Sequence, residues 1–421
     1  MSYSETALDQ LESGQLDDFQ KSFQLALKND TDDLLFSLAE ELYSLGFTEN
    51  AKEIYQQLLG KYPDEGEIKI HLAELAIDDE DDELALDYLS QINRDDPVYV
   101  QSLLVAADLY QTQELFEISE QKLLMARQLA PDEDIISFAL AEFYFSTRNF
   151  NKAVNLYLSL IKRGNLAMAN VNLVDRLGVS YAETGHFEQA LGYLQQIKPV
   201  DLTPDTRFEL AFTYFNLKDY EAAIKEFEEL RDTDPQYATL YSYLADAYVQ
   251  KNENSQALKT IQEGLSVDQY NEQLWLKAAN IAQMVGEDDL TLNYLKQGLA
   301  VDPDNLAIIT RLSAWYIKHE DFSDVIELLE PMQETDQFDA MLAWNLATAN
   351  NSLGNGKAAK HNYEIAEREL QDNADFLKEA GLFFRTTGDH EQATQLFTNY
   401  LKLVPGDAEI TELLDEELYN E

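Results

Sequence analysis

The sequence predicts an all-α solenoid of paired helices, and three observations carry that expectation. Apolar residues recur three and four positions apart along nearly the whole chain, which is the spacing of one helix face. The pattern returns at a nearly constant period of 34 residues, each unit having a turn near its middle. The composition, 45% hydrophobic with nine prolines in 421 residues, leaves room for long helices and a continuous core. A solenoid grows by stacking, so this length does not imply several globular domains.

The clearest unit is 204–237, PDTRFELAFTYFNLKDYEAAIKEFEELRDTDPQY. Its first helix carries Leu210, Ala211 and Tyr214 on one face, and a turn follows at Lys218-Asp219. The second carries Ala223, Phe227 and Leu230 and stops before Pro235. Small Ala211 and Ala223 let the two helices approach, while Tyr214 and Phe227 fill the space beside them. This pair resembles the tetratricopeptide repeat, a 34-residue helix–turn–helix unit with these residue types at these offsets. The resemblance implies a right-handed superhelix of about twelve units whose first helices line a concave groove. Among such proteins the chain looks most like acidic, cysteine-free cytosolic scaffolds of low-GC Gram-positive bacteria.

Taken in order, residues 1–31 read as a divergent first unit. Leu8 and Leu11 lie on a short helix, Gly14 breaks it, and Phe19, Phe23 and Leu27 follow. Unit 32–65 has Leu38, Ala39, Leu42, Gly46, Ala51, Tyr55 and Pro63, and 66–99 has Leu72, Ala73, Ala85 and Pro97. Unit 100–133 matches at Ala106, Ala107, Tyr110, Ala126 and Pro131, and 134–167 at Leu140, Ala141, Tyr144, Ala153 and Tyr157. Then the period slips, because Gly178, Tyr181, Gly185 and Ala190 set the next unit at 171–203. Residues 168–170 are therefore an irregular junction, either a hinge between arrays 1–167 and 171–407 or part of an extended second helix. Units 238–271 and 272–305 follow the central one. Unit 306–339 is weaker, since Ser313 and Val325 replace the small pair. Units 340–373 and 374–407 recover the pattern through Ala347, Ala359 and Tyr363, then Gly381, Ala393 and Phe397. Residues 408–421 read as a capping helix with Ile410, Leu413, Leu414 and Leu418 on one face.

Thirty basic residues against 79 acidic ones give a net charge of −49. That balance repels nucleic acid and anionic membranes and favours basic partners. No run of 18 apolar residues exists, and the N-terminal stretch is polar and acidic, unlike a secretory signal. Without cysteine there are no disulfides or thiolate metal sites, and a cytoplasmic chain is expected.

No constellation points to catalysis, a cofactor or a metal, so no enzyme is expected. The five histidines are far apart, with no pair four residues apart for a metal. Gly354-Asn355-Gly356-Lys357 and the acidic run Asp78 to Glu83 both fall where the repeat needs its inter-helix turn. The expected function is protein binding on the first-helix face turned away from the core. Repeat position 9 there reads Glu40, Glu74, Asp108, Glu142, Val179, Phe212 and Asp246. Around it stand Phe36, Tyr43, Phe138, Phe145, Phe208 and Phe215. Two readings compete: a groove for a basic, partly apolar peptide or helix of a cytosolic partner, or aromatic packing between successive first helices. A second, amide-rich and partly basic face includes Asn280, Arg311, Trp344, Asn345 and Asn351, with Lys378 and Arg385 beside it. It suggests a different ligand, and with it the alternative of a receptor for short signalling peptides. The set Leu276, Asn280, Arg311, Met341 and Asn345 departs from the pattern with which tetratricopeptide domains grip chaperone tails.

Overall fold

The computed structural model describes residues 2–420, with their side chains through Glu417. Contacts divide the chain into two compact units, Met1–Thr213 and Tyr214–Glu421.

The first unit opens with the pairs α1 (Tyr3–Glu12) and α2 (Leu16–Asn29), α3 (Asp32–Ser44) and α4 (Thr48–Lys61). It continues with α5 (Gly66–Asp78) and α6 (Asp82–Ser90), then α7 (Tyr99–Thr112) and α8 (Phe116–Leu129). After α9 (Asp134–Ser146) and α10 (Phe150–Lys162) comes a hairpin of β1 (Ala167–Met168) and β2 (Val171–Asn172). Then follow α11 (Leu173–Glu183), α12 (Phe187–Leu194) and α13 (Pro204–Asn216), which contains the division. The second unit holds α14 (Tyr220–Thr233), α15 (Ala238–Gln250), α16 (Asn254–Val267), α17 (Glu272–Val285) and α18 (Asp288–Val301). It goes on through α19 (Leu306–Lys318), α20 (Phe322–Leu329), α21 (Ala340–Ser352) and α22 (Gly356–Glu367). It ends with α23 (Ala374–Thr387), α24 (His390–Leu403) and α25 (Ala408–Asn420). Odd-numbered helices are the first of each repeat, even-numbered the second. The fold is the expected all-α repeat solenoid.

The core is built where the sequence puts its small and aromatic residues. Ala39, Ala51 and Tyr55 are fully buried, as are Ala141, Ala153 and Tyr157, and Ala347, Ala359 and Tyr363. Where glycine stands at this close approach there is no room for a methyl. A Cβ on Gly381 would sit 2.6 Å from the Phe397 ring. In the weaker unit, Ser313 and Val325 are fully buried too, and the serine hydroxyl donates to the Thr310 carbonyl at 3.0 Å.

One backbone device makes the turn between the two helices of each repeat. A single residue adopts left-handed φ, and the next N–H reaches back five residues, as Phe47 does to Leu42 at 2.8 Å. Glycine fills that place at positions 14, 46, 185, 286, 354 and 388; Glu80, Glu114, Arg148, Lys218, Asn252 and Glu320 fill the others. The acidic run is one such turn: Asp81 caps α6 by accepting from the Leu84 N–H at 3.1 Å.

The junction after α10 is a two-stranded antiparallel hairpin pairing Ala167 with Asn172 and Met168 with Val171. This corrects the extended-helix alternative. Gly164 at φ 98 ends α10, consecutive left-handed Ala169 and Asn170 make a two-residue turn, and Asn172 caps α11. At the C-terminus, Ile410 is buried, and Leu413 and Leu414 pack on the Phe376–Phe397 cluster. Leu418 lies outside the described side chains.

Candidate functional site

The candidate surface is the first-helix face, and each of its aromatic residues is buried or meets a neighbouring side chain. Phe138 and Phe208 are buried, only 7% and 9% exposed. Phe36 is half-buried, its ring 5.7 Å from Tyr55 and 5.6 Å from His71, which itself stacks on Tyr55 at 5.0 Å. Tyr43 donates its hydroxyl to Asp78 of α5 at 2.8 Å. Phe145 meets Phe150 and Tyr157 edge-on and carries the Arg176 guanidinium 4.3 Å above its ring. Phe212 stacks on Phe208 at 6.1 Å and meets Phe187 at 6.0 Å. Phe215 meets Tyr220 and Tyr243 at 5.6 and 6.0 Å. These contacts reach second helices, as Phe36 does to Tyr55, as well as the next first helix, as Tyr43 does to Asp78.

The acids of the same face divide into two kinds. Glu74 lies 3.2 Å from His71, and Asp246 accepts from Lys277 of α17 at 2.6 Å. Glu142 accepts from the Tyr157 hydroxyl, and Arg176 Nε stands 3.3 Å away without the alignment of a hydrogen bond. Burial first, then that carboxylate, push the Tyr157 phenol far above its ordinary range. Glu40 and Asp108 are different: both are exposed, and among the described residues neither has a hydrogen bond or ion pair.

Sequence reasoning passed over a cluster of ionisable groups on α11 and α13. Asp175 and Glu209 are half-buried, and each has a buried oxygen without a hydrogen bond. Burial raises both carboxyls, Glu209 to about 7, where nearby Glu183 adds to the effect and Arg148 opposes it. Asp175 stands at position 5 of its repeat, and Glu209 and Lys277 stand at position 6 of theirs, away from the column at position 9.

In the second unit Asn345 Nδ2 donates to Ser313 Oγ at 2.9 Å, tying α21 to α19. Asn351 is exposed, and Asn280 is half-buried. Trp344 packs edge-on against Phe376 at 5.7 Å. Arg311 is exposed, and no hydrogen bond or ion pair reaches it among the described residues. Lys378 and Arg385, by contrast, are held by the C-terminal segment. Lys378 donates to Asp407 at 2.9 Å, and Arg385 to Glu417 and Glu416 at 2.8 and 2.6 Å. Glu417 is buried and also bonds His390.

The TPR repeat-containing protein YpiA of Bacillus subtilis is 32% identical over 408 residues, covering 97% of this chain and 96% of that protein. The chain belongs to the YpiA-like family of tetratricopeptide repeat proteins. The source of that relative agrees with the low-GC Gram-positive resemblance. Models of YpiA-like tetratricopeptide repeats match residues 111–165, and those of YpiA-like C-terminal repeats match 341–407. A general tetratricopeptide repeat model matches 214–281, and the tetratricopeptide repeat protein 21 ARM repeat matches 4–115. Solved structures similar to this YpiA-like chain include the APC/C hetero-tetramer Cut9-Hcn1, at 14% identity and a TM-score of 0.39 over 98% of this chain and 95% of that one. A tetratricopeptide repeat protein from Parabacteroides merdae has 17% identity and a TM-score of 0.43 over 60% of this chain and 98% of its own. Tetratricopeptide folds are typical of protein–protein interaction scaffolds.

Proposed function

We propose that this YpiA-like chain is a non-catalytic cytoplasmic scaffold that binds a peptide or helix of another protein on its first-helix faces. The carrying observation is the pair Glu40 and Asp108, exposed and without a hydrogen bond or ion pair among the described residues, in a column whose other acids have taken internal partners. Two such carboxylates favour a basic partner, and the half-buried rings of Phe36, Tyr43 and Phe145 offer apolar edges beside the column. Lack of cysteine fits a reducing compartment, and among the described residues no helix is long and apolar enough to cross a membrane.

Reversing the two charges tests this reading. Wild type and the Glu40→Lys/Asp108→Lys variant would be used as bait in extracts of the native cells, with bound proteins identified by mass spectrometry. A basic protein retained by wild type and lost from the variant is expected. An identical set on both baits would remove the first unit's acidic column from the binding surface.

A further inference from the structure

Three successive first helices of the second unit are nearly free of acid. Helices α17, α19 and α21 hold 14, 13 and 13 residues. At 79 acids in 421 residues, such a length would carry about seven or eight. It carries one, Glu272, in the first turn of α17. What replaces the acids is amide and cation: Gln273, Lys277, Asn280 and Gln283 on α17, Arg311 and Lys318 on α19, and Asn345 and Asn351 on α21.

Helix α18 links α17 to α19, and α21 packs on α19 directly. Ile308 of α19 and Trp275 of α17 both crowd Gly298 of α18, and the Asn345–Ser313 bond ties α21 to α19. Two of the cations have acids nearby. Lys277 is held by Asp246, and Lys318 lies 3.9 Å from Asp288. Arg311 has none. It stands between Ala307 and Ala314, four residues before and three after on one helical face, and all three are exposed. The two small side chains leave the guanidinium clear of its own helix.

The acids around this patch are kept to its rim. Asp302 and Asp304 precede α19, and Glu320 and Asp321 follow it. Arg311 lies roughly 7.5 Å along the axis from the start of α19 and roughly 10 Å from its end. Those spacings match a Debye length of about 8 Å at physiological salt, so the rim weakly offsets the charge at the centre.

We propose that the face formed by α17, α19 and α21 docks an acidic segment of a partner polypeptide, with the Arg311 guanidinium as its central carboxylate contact. The inference rests on the reading that first-helix faces bind protein, and it gives the second unit the opposite charge preference from the first. A guanidinium presents a planar fork of donors that matches a carboxylate, and the Asn280 and Asn345 amides can meet a peptide backbone. Nucleic acid is a poor fit, because one unpaired cation neutralises too few phosphates in a chain of net charge −49.

The test is fluorescence anisotropy of the full chain with two labelled twelve-residue peptides, one alternating glutamate with alanine and one lysine with alanine. The glutamate peptide should bind, Arg311→Ala should weaken it at least about tenfold, and Arg311→Glu should abolish it. Ala314→Glu, which removes no side chain that packs, should weaken it similarly. Each variant should keep the wild-type circular dichroism and melting point, since Arg311 and Ala314 are exposed and Arg311 holds no partner. The lysine peptide should ignore Arg311→Glu and lose binding in Glu40→Lys/Asp108→Lys. Failure of the lysine arm alone counts against the acidic column of the first unit and leaves this proposal standing. No binding of the glutamate peptide, binding unchanged by Arg311→Glu, or preference for a labelled oligonucleotide overturns it.

Discussion

Phe212 is a half-buried ring stacked on one phenylalanine and edge-on to another, so its loss is a packing event. Phe212→Ala should cost about 2–4 kcal/mol in a denaturant titration, somewhat less than truncation of a fully buried phenylalanine. A change near zero would mean that the ring contributes little to the stack. One helical turn before it, Glu209 ties stability to pH. Burial and nearby Glu183, with smaller contributions from Asp205 and Asp175 and opposition from Arg148, raise its carboxyl from 4.5 to about 7. The folded chain therefore holds this proton more tightly than the unfolded chain does. That stabilisation is full below pH 4.5 and is lost as the pH rises through about 7. Glu209→Gln, neutral at every pH, should gain stability relative to wild type between about pH 5 and pH 8, by on the order of 3 kcal/mol at most. A stability gap of equal size at both pH values would contradict the shift.

The inter-helix turn is the element that recurs most faithfully, and half of its left-handed positions are not glycine. Glu114 and Glu320 hold φ of 58 and 61 in exposed turns, with no side-chain hydrogen bond or ion pair among the described residues. Left-handed backbone costs a side-chain-bearing residue about 1 kcal/mol or more relative to glycine. Glu114→Gly and Glu320→Gly should each raise the stability measured by thermal melting by about 1 kcal/mol, and Gly46→Ala should lower it by a similar amount. Destabilisation by both glycine variants would show that other contacts set the turn. Helix periodicity and the Ala, Gly and Tyr positions made the pairs legible in sequence, because those residues occupy the tightest approach. The short second helices were not legible. Helices α12 and α20 stop after eight residues each; α20 runs into Pro331, which cannot donate the next helical hydrogen bond, whereas α12 ends at Leu194 and a single turn follows at Pro199. The face was half legible. Spacing identified which side of each first helix points from the core, but it could not say that Phe36 or Phe145 meets a ring from a neighbouring helix. Nor could it show that Lys378 and Arg385 are met by acids of the C-terminal segment while Arg311 meets none.

Among the described residues, most of the basic side chains that form ion pairs join one repeat to the next. Lys152 pairs with Glu120 at 2.9 Å, Arg163 with Asp134 at 2.7 Å and Lys360 with Asp389 at 2.7 Å, in each case about thirty residues apart. Salt weakens such pairs, which are worth about 0–1 kcal/mol each, but it also screens acids that outnumber bases by 79 to 30. Even complete pairing would leave the net charge of −49, so repulsion is the larger effect. The melting point should therefore rise from low to moderate NaCl, and a fall would show that the bridging pairs outweigh repulsion. Against that excess of acid the proposed first-helix faces differ, with an acidic column in the first unit and an acid-poor strip in the second. Site-specific photo-crosslinking in the native cells tests that account most directly. A photoreactive residue would replace Ser37 beside Glu40, Ala314 beside Arg311, or Gln128 on the second helix α8, all three exposed. The account predicts protein crosslinks from positions 37 and 314, to different polypeptides, and none above background from 128. Crosslinks confined to position 128, or none from either first-helix face, would contradict it.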